Sequence, residues 1–178
     1  MLGRPQVTAT RVVFRNPWMA LREDTLVWPD GTPGSYAVIE KPPGAVVVAV
    51  QDDHVWLVEQ FRHTIERRCW ELPQGALDGA GDVTAELIAR TELEEETGVR
   101  AERLERLGRL FYAYGFSSQP FEAWRATGLS RGAPRPGATE QGLVAEAVPV
   151  ASLPTMVAEE RIVDAATVAT LALAGLLR

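Results

Sequence analysis

The sequence predicts an α/β fold that begins with a small antiparallel β-subdomain. Three observations support this prediction: strand patterns fill the first third of the chain, a capped helix lies near its middle, and an apolar helical stretch lies near its end. With 178 residues, of which 46% are hydrophobic, the chain can bury one proper core. We therefore expect one α/β domain preceded by a smaller β segment.

The β-subdomain is predicted for residues 1–43. Strand-forming residues occupy 7–14, 19–28 and 35–40, and Pro42-Pro43-Gly44 separates them from the rest of the chain. So short a segment buries little surface alone, and an unpaired sheet edge invites a partner. We therefore expect a symmetric homodimer in which these strands pair or swap across the two-fold axis.

The main domain is predicted for residues 44–178. Further strand patterns occur at 45–50, 55–61, 106–114, 121–127 and 143–149. Residues 128–142 form a Gly-, Pro- and Arg-containing loop of about fifteen residues, and loops of that length are usually functional or disordered. The chain then reads as helical at 154–161 and in a last helix capped by Asp164.

Composition agrees with a soluble enzyme in a reducing compartment. The net charge is −6 without a long basic run, which argues against nucleic acid or an anionic membrane as a partner. The single cysteine, Cys69, rules out an internal disulfide and fits the cytoplasm. The N-terminus lacks the apolar core of a signal peptide, and the apolar tail 165–177 is too short to span a bilayer.

The central helix concentrates carboxylates on one face. Glu92, Glu95 and Glu96 have the spacing i, i+3, i+4, between a capping Thr84 and a terminating Gly98. Like charges so placed repel, by a few tenths of a kcal/mol per pair. Clustered hard oxygen ligands suit Mg²⁺ or Mn²⁺, which proteins bind through a few carboxylates plus substrate phosphates. From the spacing alone, a solvated acidic helix face is the favoured alternative.

Residues 71–99, ELPQGALDGAGDVTAELIARTELEEETGV, resemble the signature of the Nudix hydrolases. That pattern is G-x5-E-x7-R-E-h-x-E-E-x-G-h, with h hydrophobic. The matching residues are Gly75, Glu92, Leu93, Glu95, Glu96, Gly98 and Val99. The half of the pattern that binds metal is therefore complete.

The other half of the pattern is altered. Two extra residues follow Gly75, so that the first acidic position falls on Val83, with Asp82 beside it. Thr91 replaces the arginine, and Arg90 lies one step earlier. One step rotates a side chain by about 100° around a helix, so Arg90 cannot simply substitute.

Most of the chain resembles the ADP-ribose pyrophosphatase branch of this family. Three segments carry the resemblance: 58–62 (VEQFR), the small-residue turn 114–119 (YGFSSQ), and 161–167 (RIVDAAT), at the start of the last helix. The resemblance implies an α/β/α sandwich with a mixed sheet and an N-terminal β-subdomain that pairs with a second subunit. It also implies a hydrolase that cleaves ADP-ribose and related nucleoside diphosphate sugars to two monophosphates.

The resemblance also assigns the metal site and the general base. Glu92, Glu95 and Glu96 would hold Mg²⁺ or Mn²⁺, together with the backbone carbonyl of Gln74. Glu140, on the long loop, would act as the general base. Two alternatives remain open: Glu140 is merely solvated, or Glu95 or Glu96 activates water directly.

Four further residues are predicted to bind substrate. Arg62 would bind a phosphate, with a salt bridge at the edge of the core as its alternative. Trp18 and Trp28 are candidates for a base-binding platform, although such residues are more often core or dimer contacts. Gln119 ends the 114–119 turn where the branch has glutamate, which removes a possible charge.

Two other functions remain compatible with the sequence. The first is a Nudix enzyme for dinucleoside polyphosphates or GDP-sugars, which Gln119 in place of glutamate favours. The second is a Nudix domain that senses a nucleotide without cleaving it, which Thr91 favours. The presence of all three glutamates at the ligand positions argues against the second.

Overall fold

The computed structural model describes residues 3–76, 83–135 and 141–177. The chain divides into two compact units: Met1–Pro43 with Phe111–Pro120, and Gly44–Leu110 with Phe121–Arg178. Neither unit, over the described residues, contains a helix both long and apolar enough to cross a membrane.

The first unit contains a three-stranded antiparallel sheet in the order β1-β2-β3. The strands are β1 (Gln6–Arg15), β2 (Ala20–Val27) and β3 (Pro33–Glu40), which confirms the small N-terminal antiparallel sheet. A turn joins β1 to β2, in which the Asn16 side-chain oxygen accepts hydrogen bonds from the backbone N–H of Trp18 (2.9 Å) and Met19 (2.8 Å). Such a local side-chain bond is why Asn favours tight turns.

The edge strand of this sheet is exposed along its whole length. Every residue of β1 is exposed, whereas β2, in the middle, buries Ala20, Asp24 and Leu26. The apolar side chains of β1 are about half exposed: Val7, Val12, Val13 and Phe14. An apolar edge strand with unpaired backbone groups is a surface on which a further strand can add.

The turn at 111–120 belongs to the first unit. Ile39 of β3 forms an isolated bridge with Ser117, supported by Ile39 N–H to Phe116 O (2.8 Å) and Ser118 N–H to Ile39 O (3.1 Å). The hydroxyl of Tyr36 donates to the carbonyl oxygen of Gly115. The strand predicted to reach residue 114 ends earlier, at Phe111, because Ala113 O accepts the N–H of Ser117 (2.7 Å) and the chain turns there.

The second unit is built on a mixed sheet. Its strands are β4 (Gly44–Gln51), β5 (His54–Arg62), β6 (Arg67–Glu71), β7 (Gln74–Gly75), β8 (Val99–Phe111), β9 (Pro120–Arg131) and β10 (Val144–Pro149), and its helices are α1 (Ala85–Thr97), α2 (Leu153–Ala158) and α3 (Ala165–Leu173). The order is β10-β5-β4-β9-β8, with β6 paired to β5 and β7 to β4. Strand β4 runs parallel to β9 but antiparallel to β5 and β7, which confirms the mixed sheet.

The core lies between α1 and the centre of this sheet. Ala45, Val47 and Ala49 of β4 share it with Ile88, Ala89 and Leu93 of α1 and with Trp124 and Ala126 of β9. Because side chains alternate along a strand, Val46 and Val48 face the other side, and α3 also packs on β4. Strand β4 is buried from both sides and reads as a continuous apolar run.

Both predicted ends of α1 are confirmed. The Thr84 hydroxyl accepts a hydrogen bond from Leu87 N–H (3.2 Å), and Gly98 adopts the left-handed conformation at φ 72°. Residues 132–135 cross this end of the helix, with Gly132 N–H bonded to Gly98 O (2.6 Å) and Arg135 N–H to Glu95 O (2.7 Å).

Two strands extend beyond their predicted limits. Strand β8 begins at Val99 rather than at 106, because a strand at the sheet edge tolerates the charged residues of its first half. Strand β9 continues to Arg131, through Gly128 at φ 66°, so that the predicted long loop loses its first four residues. Residues 136–140 of that loop lie outside the described part of the chain.

Gly98→Ala should destabilise the fold more than an ordinary glycine substitution. An added Cβ would lie 2.7 Å from Gly132 O and Pro134 N, and the positive φ is itself unfavourable for alanine. We expect a loss of about 2–4 kcal/mol in the free energy of unfolding. Gly31 also has a positive φ, 89°, but open space around it, and Gly31→Ala should cost only about 1 kcal/mol. Equal losses in urea unfolding would contradict the steric argument.

Candidate active site

Two of the three predicted metal ligands are buried under strand β7. Glu92 and Glu96 of α1 are only 8% and 1% exposed, whereas Glu95 is exposed. The Glu96 carboxylate accepts a hydrogen bond from the Gln74 backbone N–H (3.1 Å). A Cβ added to Gly75 would overlap the carboxylate of Glu92. The two residues of β7 therefore lie directly on two carboxylates.

This arrangement suits a hard divalent cation. Carboxylate and carbonyl oxygens are its preferred ligands, and the lack of a side chain at Gly75 lets the β7 backbone approach the Glu92 carboxylate closely. Glu92, Glu96 and the Gln74 carbonyl are the groups that could hold it, with Glu95 at the exposed side of the helix. Within the described residues, no three His, Cys, Asp or Glu side chains are grouped closely enough to hold an ion.

Arg62 is held by a buried carboxylate. Its guanidinium Nη2 lies 2.5 Å from Oε1 of Glu71 and its Nε lies 3.2 Å from Oε2. Glu71 is 2% exposed and also accepts a hydrogen bond from Gln60 Nε2 (2.6 Å). The salt bridge that was the alternative for Arg62 thus exists, and it fixes the position of the guanidinium.

The pKa values of this pair reflect their unequal burial. Burial raises the pKa of Glu71, although the charge of Arg62 and its hydrogen bond act in the opposite direction. For Arg62, burial lowers the pKa, but the charge and hydrogen bond of Glu71 outweigh it and the pKa is raised. Arg62 therefore stays cationic, whereas burial opposes the negative charge of Glu71.

Arg62 and Glu96 line one cavity of about 350 Å³. Its walls are Gln60, Phe61, Arg62, His63, Thr64, Gln74 and Glu96. The Arg62 side chain is 40% exposed, so its guanidinium can reach a ligand while it remains bound to Glu71. The cavity therefore brings a cationic guanidinium, which can bind an anionic group, together with the buried Glu96 carboxylate, which can ligate a metal ion.

Glu140, the predicted base, lies outside the described residues, but the chain on both sides of it is described. Arg135 is bonded to the backbone of α1 at Glu95. The Arg68 guanidinium donates to Gly142 O (2.8 Å) and is itself held by Glu59 (2.9 Å). The described chain before Glu140 therefore ends, at Arg135, beside Glu95, one of the predicted metal ligands.

The other predicted binding residues lie in the first unit. Gln119 is buried, 8% exposed, and its side-chain amide donates to Pro42 O (2.9 Å), so it ties the 111–120 turn to the segment after β3. Trp18 is 60% exposed and Trp28 is 41% exposed, with the Trp28 ring against Gly34. The structure thus assigns Gln119 a structural contact and leaves both tryptophans accessible.

Two residues of the cavity region were not predicted from the sequence. Glu71 and Gln60 form the buried polar pair behind Arg62. A signal was present: Glu71 is a charged residue between Trp70 and Leu72-Pro73, in an otherwise apolar run. A carboxylate is rarely fully buried unless it is paired, so it required a partner such as Arg62.

Two family models match consecutive parts of the chain. The NUDIX domain matches residues 40–169, and the nucleoside diphosphate sugar hydrolase N-terminal domain matches residues 6–39. Together these matches cover nearly all of the described sequence.

Individual relatives are also similar to this chain. An ADP-ribose pyrophosphatase of Mycobacterium tuberculosis is 36% identical over 160 residues, which are 89% of this chain and 74% of the relative. The methanol dehydrogenase activator of Bacillus methanolicus and an ADP-ribose pyrophosphatase of Bacillus subtilis are each 29% identical over 123 residues, 68% of this chain and 65% of theirs. A crystal structure of an ADP compounds hydrolase superposes with a TM-score of 0.85 at 22% identity, over 98% of this chain and 94% of that one, and so shares the fold.

Gly75→Ala should weaken cation binding with little effect on folding. Its methyl group would displace the Glu92 carboxylate, which is the movable end of a side chain, and the backbone at Gly75 has no positive φ to be strained. We expect Mn²⁺ affinity, measured by titration calorimetry, to fall by about tenfold or more. The free energy of unfolding should change by less than about 1 kcal/mol. Gly108→Ala is the control, because an added Cβ there would contact only Leu173, at 3.5 Å. An unchanged Mn²⁺ affinity in Gly75→Ala would contradict the close fit between Gly75 and Glu92.

Proposed function

This chain belongs to the Nudix family and is a Nudix pyrophosphohydrolase, and on that premise we propose that it cleaves the diphosphate linkage of ADP-ribose or a related nucleoside diphosphate sugar with the help of Mg²⁺ or Mn²⁺. The observation that carries the proposal is the cavity in which Arg62 faces Glu96 beneath the backbone of Gln74. The match of residues 6–39 to the N-terminal domain of nucleoside diphosphate sugar hydrolases supports this substrate class.

We assign each candidate residue a role in this reaction. Arg62 binds a phosphate of the substrate and keeps its position through Glu71. Glu92, Glu95, Glu96 and the Gln74 carbonyl would hold the cation, which would neutralise phosphate charge and lower the pKa of water. Glu140 takes a proton from the attacking water as the bond between phosphorus and the bridging oxygen breaks, so that two monophosphates leave.

A nucleotide panel separates this proposal from its alternatives. ADP-ribose, a GDP-sugar and a dinucleoside polyphosphate are offered with Mg²⁺ or Mn²⁺, and the monophosphates released are measured. We expect ADP-ribose or another nucleoside diphosphate sugar to be cleaved with the highest kcat/KM. Preference for the dinucleoside polyphosphate would move the enzyme to another substrate class, and binding without cleavage would indicate a sensor.

We also propose a cytoplasmic homodimer. The buried thiol of Cys69 suits a reducing compartment, and the exposed apolar side chains of β1 suit a second copy of the chain. Exposed Trp18 and Trp28 are then available to the partner or to the base of the substrate. Light scattering at micromolar concentration should give twice the mass of one chain, and a value of 19.5 kDa would contradict the dimer.

Glu96→Gln should abolish most of the turnover and leave the fold intact. One ligand to the cation carries several kcal/mol of charge stabilisation in the transition state, so we expect kcat to fall by about two orders of magnitude or more. Excess EDTA should likewise abolish activity in the wild type. Glu86→Gln, on the same helix but paired with Arg90, should behave as wild type. Full activity in EDTA or in Glu96→Gln would overturn the metal assignment.

Glu140→Gln tests the general base. If Glu140 accepts the proton from water, kcat should fall by roughly 10²–10⁴ while KM stays nearly constant. A solvated glutamate would leave kcat within about twofold, because a surface charge change rarely exceeds about 0.5 kcal/mol. Glu105→Gln, an exposed acid on β8, is the matched control. A wild-type kcat in Glu140→Gln would transfer the role to Glu95 or Glu96.

A further inference from the structure

The side-chain amide of Gln74 lies between two carboxylates. Its Nε2 is 2.9 Å from Oδ2 of Asp164 and 3.3 Å from Oε2 of Glu71. Asp164 is partly buried and Glu71 almost wholly so. An amide NH₂ group has two N–H donors and no charge, so it can donate one hydrogen bond to each of the two carboxylates. Alanine at this position would leave the two acids facing each other, and glutamate would add a third negative charge.

Both carboxylates have a second task. The same Oδ2 of Asp164 accepts the backbone N–H of Thr167 (2.8 Å) and thereby caps α3. Glu71 holds the guanidinium of Arg62. The Thr167 hydroxyl in turn accepts the backbone N–H of Leu72 (3.0 Å), which ties the first turn of α3 to the chain leading into β7.

The main chain of Gln74 meets the carboxylates of α1. Its N–H donates to Glu96, and the next residue, Gly75, lies against Glu92. The side chain and the backbone of one residue thus face opposite neighbours: α3 and Glu71 on one side, and the candidate cation site on the other. The hydrogen bonds of the side chain therefore restrain the backbone that contacts that site.

We propose that the Gln74 side chain is a positioning residue, which anchors β7 to the cap of α3 and so sets the affinity of the Glu92–Glu96 site for a divalent cation. This inference rests on the proposed function, because it takes the site to bind metal. The anchor is the hydrogen bond from the Gln74 amide to the Asp164 carboxylate, and a shorter side chain at position 74 or 164 would break it.

The test uses variants that separate the Gln74–Asp164 hydrogen bond from the capping of α3 by Asp164. Gln74→Ala removes the amide. Asp164→Ser keeps a good helix cap but is too short to reach Gln74, whereas Asp164→Asn retains an oxygen that can accept both hydrogen bonds. Binding of Mn²⁺ alone to the full chain is measured by electron paramagnetic resonance or calorimetry, and thermal unfolding is followed in parallel.

We expect Gln74→Ala and Asp164→Ser each to raise the Mn²⁺ Kd by about tenfold, and the double variant to show no further increase. Asp164→Asn should bind Mn²⁺ as the wild type does. Should Gln74→Ala fail to fold, the contrast between Asp164→Ser and Asp164→Asn still decides the question. Wild-type Kd in Gln74→Ala or in Asp164→Ser, or additive effects in the double variant, would overturn the inference.

The same titration distinguishes this inference from the proposed function. If the wild type binds Mn²⁺ and Glu96→Gln does not, the metal site stands, and a wild-type Kd in Gln74→Ala removes only the role of the amide. If the wild type binds no Mn²⁺, or Glu96→Gln binds it equally well, both the metal assignment and the role of Gln74 are overturned.

Discussion

The close approach of the β7 backbone to helix α1 is the contact on which the candidate site depends. Gly75 allows it, because any side chain there would occupy the space of the Glu92 carboxylate. Gln74 completes it with a hydrogen bond from its backbone to Glu96. Strand β7 is only two residues long and is held on its other edge by β4, whose pairing brings it to this position. The arrangement therefore joins the sheet and the helix at the point where their polar groups meet.

This site is electrostatically costly for the helix that supplies it. Four glutamates, at 92, 94, 95 and 96, lie in the C-terminal half of α1, where the helix dipole is also negative, and its last turn contains no basic residue. The compensating charge comes from other parts of the chain, since Arg100 pairs with Glu94 (2.6 Å), and Arg135 lines a small cavity with Thr91, Glu94 and Glu95. Helix stability does not explain this concentration of negative charge, which is better explained by a bound cation.

The candidate residues divide between the two units in an informative way. The residues suited to phosphate and metal chemistry, Arg62, Glu92, Glu95 and Glu96, all belong to the second unit, where secondary structure fixes them. The residues proposed to bind the nucleobase of the substrate, Trp18 and Trp28, belong to the first unit, and they are exposed. Chemistry that is common to a family suits a rigid framework, whereas recognition of one substrate suits exposed side chains that can differ between relatives.

The sequence by itself determined the features that depend on local chemistry. The caps of α1 at Thr84 and Gly98, the cap of α3 at Asp164 and the N-terminal strands depend on residue type and spacing, and all are present in the fold. The carboxylate spacing, together with the resemblance of residues 71–99 to the Nudix signature, also pointed to the helix that supplies the candidate site. Only the tertiary structure decided which of these glutamates are buried, because that depends on β7 lying over Glu92 and Glu96 and leaving Glu95 outside. Likewise, the pairing of Arg62 with Glu71, 9 positions apart, depends on β5 lying beside β6. The bridge from Gln74 to Asp164 joins residues 90 positions apart, and no local pattern encodes a contact that only the packing of α3 beside β7 creates.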